Sequence, residues 1–254
     1  MYGKIMNIDF SSIAPNTDFG KLLRLPLALV PRSAVVRILQ GPLRGCYWIA
    51  GSFNHGCWLG SYEMRKQKSF AHSIEPGQIV YDIGANVGIY TLLASKCVSA
   101  KGQVFAFEPL PENIKYLEKH VKLNDCQNVM IQSAAICDHC GVMRFEDAGC
   151  RATAHLSSNG VLEVKTYSLD EFIYVLNNPI PDIIKIDVEG AEYAVLQGAR
   201  KLLTTNPPII FLATHSSEIH AACCQLLNAV HYRLESIGHQ PVETTDELLC
   251  HPSN

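Results

Sequence analysis

The chain changes rhythm near Glu75-Pro76-Gly77. Downstream of that turn, short and almost wholly apolar runs alternate with segments of helical period. Residues 78–83, 104–107, 129–135, 182–188 and 209–213 predict strands. Residues 89–97, 112–123, 191–203 and 218–230 predict helices between them, the second opened by Pro111, a residue suited to a first helical turn. Apolar strands alternating with helices predict an α/β fold whose parallel sheet is covered on both faces. Between residues 141 and 167 the alternation gives way to short strand-like pieces at 142–145 and 162–166. They predict a small antiparallel insertion, followed by a helix from about Leu169.

Upstream, residues 34–39 and 46–50 flank Gly41-Pro42-Leu43-Arg44-Gly45 and predict a hairpin. Residues 1–30 read as a loose helical arm. The segment 55–63 is rich in aromatics and glycine, and a charged stretch runs on to Phe70. The chain therefore divides into an N-terminal extension, 1–75, and a ligand-binding domain, 76–254.

Composition narrows the classes. With 254 residues, 48% hydrophobic and 18% charged, the chain has a globular balance. Lys+Arg is 21 against Asp+Glu 24, a net charge of −3, so nucleic acid is an unsuitable partner. The longest apolar stretch near the N-terminus, residues 22–31, is interrupted by Arg24 and two prolines and is too short to span a bilayer. No convincing signal peptide precedes it, so the expectation is a cytoplasmic protein without a membrane partner. The ten cysteines then read as reduced, buried apolar residues. Cys137-Asp-His-Cys140 alone has metal-like spacing, lacks a second pair, and reads as a loop.

In doubly wound sheets, ligands sit beyond the carboxyl ends of the strands. There the first strand runs into Asp82-Ile-Gly-Ala-Asn-Val-Gly88. Gly84 permits a tight turn, and Gly88 opens a helix whose free amides suit an anionic group. Ala85-Asn86 breaks the dinucleotide fingerprint, and no P-loop lysine follows. Asp82 disfavours a phosphate and suits an ammonium. Glu108, 26 residues later, stands where a carboxylate grips a ribose diol. Ser133, Ala134 and Ala135 leave room for a flat base. Asp187 and Glu189 emerge together after the fourth strand, and His215 after the fifth. These three are the candidates for proton transfer.

Asp82 to Gly88, Phe107-Glu-Pro109, Ser133-Ala-Ala135 and Ile184-Lys-Ile-Asp-Val-Glu-Gly-Ala-Glu192 together resemble the FkbM family of S-adenosylmethionine-dependent methyltransferases, over about residues 75–235. The resemblance implies a class I methyltransferase, Rossmann-like doubly wound sheet. That sheet is mostly parallel and seven-stranded, its last strand antiparallel, with residues 232–237 and a C-terminal stretch supplying the final two strands. It implies that Asp82, Gly84, Asn86 and Gly88 line the methionine part of S-adenosylmethionine, with Thr91 behind. Glu108 would hold the ribose, and Ser133, Ala134 and Ala135 would border the adenine, with Asp187 also lining the cofactor site. Tyr62, in an aromatic lead-in, would touch the cofactor. The implied reaction is O-methylation of a hydroxyl on a small natural product or sugar unit, with His215 or Asp187 as base. No metal is assigned, and a divalent cation at Asp187 is the disfavoured alternative. A non-catalytic cofactor-binding scaffold and an NAD-dependent dehydrogenase are the rival readings, and a homodimer is left open.

Overall fold

The computed structural model describes Leu27 and residues 29–146, 155–156 and 162–253. The expected arm over residues 1–30 therefore lies almost entirely outside the described residues. The hairpin forms from β1 (Val35–Arg37) and β2 (Tyr47–Ile49), paired antiparallel. Two helices follow, α1 (His55–Leu59) and α2 (Met64–Ser73).

Strand-helix alternation then begins. The elements are β3 (Ile79–Ile83), α3 (Ile89–Val98), β4 (Gln103–Phe107), α4 (Pro111–Leu123) and β5 (Val129–Gln132). After an inserted sheet come β10 (Ile183–Ile186), α5 (Glu192–Gln197), α6 (Arg200–Thr205), β11 (Ile209–Ala213) and α7 (Ser217–Ala229). The last strands are β12 (Tyr232–Ser236) and β13 (Glu247–Pro252). The main sheet has seven strands in the order β12-β13-β11-β10-β3-β4-β5. β13 runs antiparallel to both of its neighbours, and the other pairings are parallel.

Alternation of side chains buries both faces of this sheet. Tyr81, Ile83, Phe105, Phe107, Ile184 and Leu212 point to one face, where Leu196, Leu203, Cys223 and Leu227 of α5–α7 cover them. Val80, Val104, Ile183 and Phe211 point to the other, under α3 and the extension, whose Trp48, Trp58 and Phe70 complete that layer. The insertion is a four-stranded sheet of order β6-β9-β7-β8. Its strands are β6 (Ala135–Ile136), β7 (Gly141–Glu146), β8 (His155–Leu156) and β9 (Leu162–Tyr167).

Two sequence expectations are corrected. The strand predicted over residues 129–135 ends at Gln132. Ala135–Ile136 leaves the main sheet and pairs with β9. The helix predicted over residues 191–203 breaks in two. The amide of Asp170 takes the carbonyl of Gly198 at 2.9 Å, and its carboxylate accepts from the amides of Lys201 and Leu202 at 2.8 and 2.9 Å. That carboxylate caps α6 from outside the helix. After Leu169 the chain makes a π-helical turn, Glu171–Val175. The nine cysteines among the described residues are all free. No helix among the described residues is long and apolar enough to cross a membrane.

Candidate active site

The carboxyl ends of β3, β4, β10 and β11 open on one cavity of about 320 Å³, within the usual size range of small-molecule sites. Its nearest wall is the turn after β3. The amides of Gly84 and Ala85 both donate to Phe107 O, at 3.0 and 2.9 Å, which ties the turn to the end of β4. Gly84 has φ +76°, and a Cβ there would collide with the carbonyl of Asp187, so no other residue fits. Asn86 stands at φ +50°, a conformation asparagine tolerates, and its Oδ1 accepts from the amide of Val87 at 2.8 Å. That local bond is what allows asparagine where a third glycine would otherwise serve.

Glu108 is buried at the end of β4. Its carboxylate accepts from Asn86 N at 2.7 Å, Leu110 N at 2.9 Å and Asn113 Nδ2 at 3.2 Å. A carboxylate has about four lone-pair sites. Three protein donors leave capacity for about one ligand hydroxyl, against the two expected from sequence. Burial raises its pKa, while these three donors pull it down.

The structure brings together Tyr62, Gly84, Asn86, Gly88, Glu108, Ala134, Ala135, Asp187, Glu189 and His215, all of which line the cavity. Three predicted residues do not line it. Asp82 is wholly buried behind the turn, where its Oδ2 accepts from the Thr91 hydroxyl at 2.6 Å and its Oδ1 faces Lys185 Nζ at 3.3 Å. Both Asp82 and Thr91 therefore hold the wall from inside. Ser133 is exposed, because the chain turns there between β5 and β6.

The floor is electrostatic. Lys185, 3% exposed, donates to Gly84 O at 2.7 Å and lies 3.8 Å from Asp187 Oδ2. Lys66, from α2, donates to Glu247 Oε1 at 2.7 Å and lies 3.5 Å from Asp187 Oδ2. Burial would raise the pKa of Asp187, but Lys185, Lys66 and His215 outweigh it and hold the carboxylate below its ordinary value. Burial also raises Glu189, which sits at φ +52° in the turn before α5. Glu247 is pushed up to about 7, by burial first, against the pull of Lys66.

His215 Nδ1 donates to the wholly buried Glu192 at 2.6 Å, and Nε2 lies 3.6 Å from Asp187 Oδ1 and 3.5 Å from Glu189 Oε2. The bond to Glu192 is the main reason its pKa rises to about 9. With that pKa the ring keeps its proton at neutral pH, and Nε2 offers a lone pair only once that proton is displaced. A base role for His215 depends on that displacement.

Sequence reasoning missed Lys66, Lys185, Glu192 and Glu247. Lys185 carried a signal, since a charge inside Ile-Ile-Lys-Ile must find a buried partner. Lys66 and Glu247 are 181 residues apart and carried none.

A sequence model of the FkbM methyltransferase domain matches residues 82–234. The hexuronic acid methyltransferase AglP of Haloferax volcanii is 30% identical over 149 residues, 58% of this chain and 58% of its own length. The crystal structure of a methyltransferase FkbM from Methylobacillus flagellatus superposes with TM-score 0.50 at 14% identity, over 77% of this chain and 52% of that one. A precorrin-6y C5,15-methyltransferase from Geobacter metallireducens superposes with TM-score 0.49 at 15% identity, over 75% and 88%. The chain spans little more than half the length of the first two. The fold is that of the class I methyltransferases.

Proposed function

The chain belongs to the FkbM family of methyltransferases, and from that premise we propose that it uses S-adenosylmethionine to methylate a hydroxyl of a small hydroxylated acceptor, a sugar unit by class. The observation that carries this reading is the charge of the cavity. Six carboxylates line it, from Glu63, Glu108, Asp187, Glu189, Asp246 and Glu247, against Lys185 and His215 in the lining and Lys66 just behind Asp187 and Glu247. A site of that composition suits a cationic cofactor and repels a dinucleotide's pyrophosphate.

Bound S-adenosylmethionine supplies an already activated methyl group. The residues of this chain bind and orient. Gly84, Asn86 and Gly88 form the wall for the amino-acid end, Glu108 keeps an acceptor position for a ribose hydroxyl, and Ala134 and Ala135 border the base. Tyr62 and Glu63, from the extension, close the opposite side. Asp187 and Glu189 receive the acceptor's hydroxyl, and positioning close and in line with the methyl supplies most of the rate. AglP is named for action on a hexuronic acid, which supports a sugar acceptor.

The test is transfer from methyl-labelled S-adenosylmethionine to a panel of uronic acid and neutral sugar glycosides. Label on an acceptor hydroxyl is expected. Cofactor binding with transfer to no member of the panel would favour a scaffold that binds without catalysing.

A further inference from the structure

Three side chains on the cavity floor converge on one point. Asp187 follows β10, Glu189 lies in the next turn, and His215 follows β11. Asp187 Oδ1 is 3.6 Å and Glu189 Oε2 is 3.5 Å from His215 Nε2, and one donor atom from each of the three falls within 4.8 Å of the others. Ligand atoms held about 2.0–2.2 Å from a common ion stand roughly 2.8–3.6 Å apart in octahedral or tetrahedral geometry.

Two features outside the trio point the same way. Glu192, wholly buried on α5, accepts the Nδ1 proton of His215 and turns Nε2 toward Asp187 and Glu189. A carboxylate behind the histidine is the usual support of a metal-binding imidazole. Its other oxygen, Oε2, is buried without a hydrogen-bond partner. Asp187, in turn, divides its oxygens. Oδ2 faces Lys66 and Lys185, and this fixes Oδ1 toward the histidine.

We propose that Asp187, Glu189 and His215 form a site for one divalent transition-metal ion, with Glu192 as the residue that orients the histidine. One imidazole nitrogen and two carboxylate oxygens suit Mn²⁺ or Zn²⁺ better than the all-oxygen preference of Ca²⁺ or Mg²⁺. Positions not filled by the protein open into the cavity. There an acceptor's adjacent hydroxyls, or a hydroxyl beside a carboxylate, would chelate the ion and fix which oxygen faces the methyl donor. Ion binding stands on the geometry alone, whereas the acceptor role rests on the methyltransferase reading above. Asp187 read singly in the sequence offers one ligand. The fold brings Glu189 and His215 within reach of it.

The experiment is titration of the purified, metal-stripped full chain with Mn²⁺, read by the loss of the aqueous Mn²⁺ paramagnetic resonance signal, with Zn²⁺ as competitor. One Mn²⁺ is expected per chain, displaced by Zn²⁺. Glu189→Gln and His215→Gln should each weaken binding at least tenfold, and Glu192→Gln 10- to 100-fold. Glu189 is partly exposed, so its variant should melt with the wild type and report on the ion alone. A wild-type chain that removes no Mn²⁺ at millimolar concentration, or variants that bind as the wild type does, would overturn the site. A parallel titration with S-adenosylmethionine separates the two ideas. Cofactor binding without Mn²⁺ binding removes the ion only, and Mn²⁺ binding without cofactor binding removes the methyltransferase reading only.

Discussion

Lys185 shows how one side chain orders several others. It sits in β10 among isoleucines, its ammonium bonded to the carbonyl of Gly84 and flanked by Asp82 and Asp187. It therefore ties the turn after β3 to the end of β10 and neutralises a carboxylate, Asp82, that has no access to water. Lys185→Met should cost about 3–5 kcal/mol, the penalty for leaving a buried charge without its partner. Urea unfolding measures it, and an unchanged midpoint would contradict this role. The residue scale is also where the sequence was most and least informative. Asp187, Glu189, Glu108 and the glycine turn were legible because strand ends are local features. Asp82 was legible as a strand-end acid but not as an internal support. Its direction depends on Thr91 in the following helix and on Lys185 in register on the neighbouring strand, neither of which spacing reveals.

The elements tell a similar story. Predicted strands and helices coincide with observed ones wherever local apolar pattern governs, as in β11 and α4. They fail where a distant group intervenes. α5 and α6 would be one helix by pattern, but Asp170 takes the Gly198 carbonyl and supplies the first turn of α6 with an acceptor. Asp170→Ala should therefore destabilise the chain by about 1 kcal/mol, the ordinary value of a helix cap. A urea midpoint difference between variant and wild type reports it, and Asp170→Asn should recover part of the loss. A variant as stable as the wild type would show that the break has another cause. The departure of Ala135–Ile136 from the main sheet has the same character. Ser133 and Ala134 look like strand residues, and only the partner β9, about 30 residues later, draws the chain away.

At the scale of the molecule, the extension lines the cavity through Phe53, Cys57, Tyr62 and Glu63. Lys66 of α2 reaches Glu247 on the last strand, and Tyr90 of α3 donates to Glu63 at 2.7 Å. His120 of α4 is wholly buried and stacked on Trp48 with ring centroids 3.9 Å apart. Its Nε2 accepts from Ile49 N of the hairpin at 3.0 Å, and its Nδ1 donates to Val87 O of the turn after β3 at 2.7 Å. The bond from Ile49 N needs the neutral ring, because a protonated Nε2 has no lone pair to accept it, and burial lowers the pKa to about 4 from the ordinary 6.5. Between those values the unfolded chain binds the extra proton, so this contribution is whole above pH 6.5 and is lost as pH falls toward 4. The stability gap between wild type and His120→Asn should accordingly narrow by about 2 kcal/mol from pH 7 to pH 5. A gap that stays constant would mean that the histidine is not held neutral.

The central claim is that the cavity at the strand ends is built for a cationic sulfur nucleoside. Isothermal titration of the full chain with S-adenosylmethionine, S-adenosylhomocysteine and NAD, beside Glu108→Gln, tests it most directly. Micromolar binding of both sulfur nucleosides, weakened at least tenfold in the variant, with no heat from NAD, is the predicted result. Binding of NAD, or of neither sulfur nucleoside, would contradict the account.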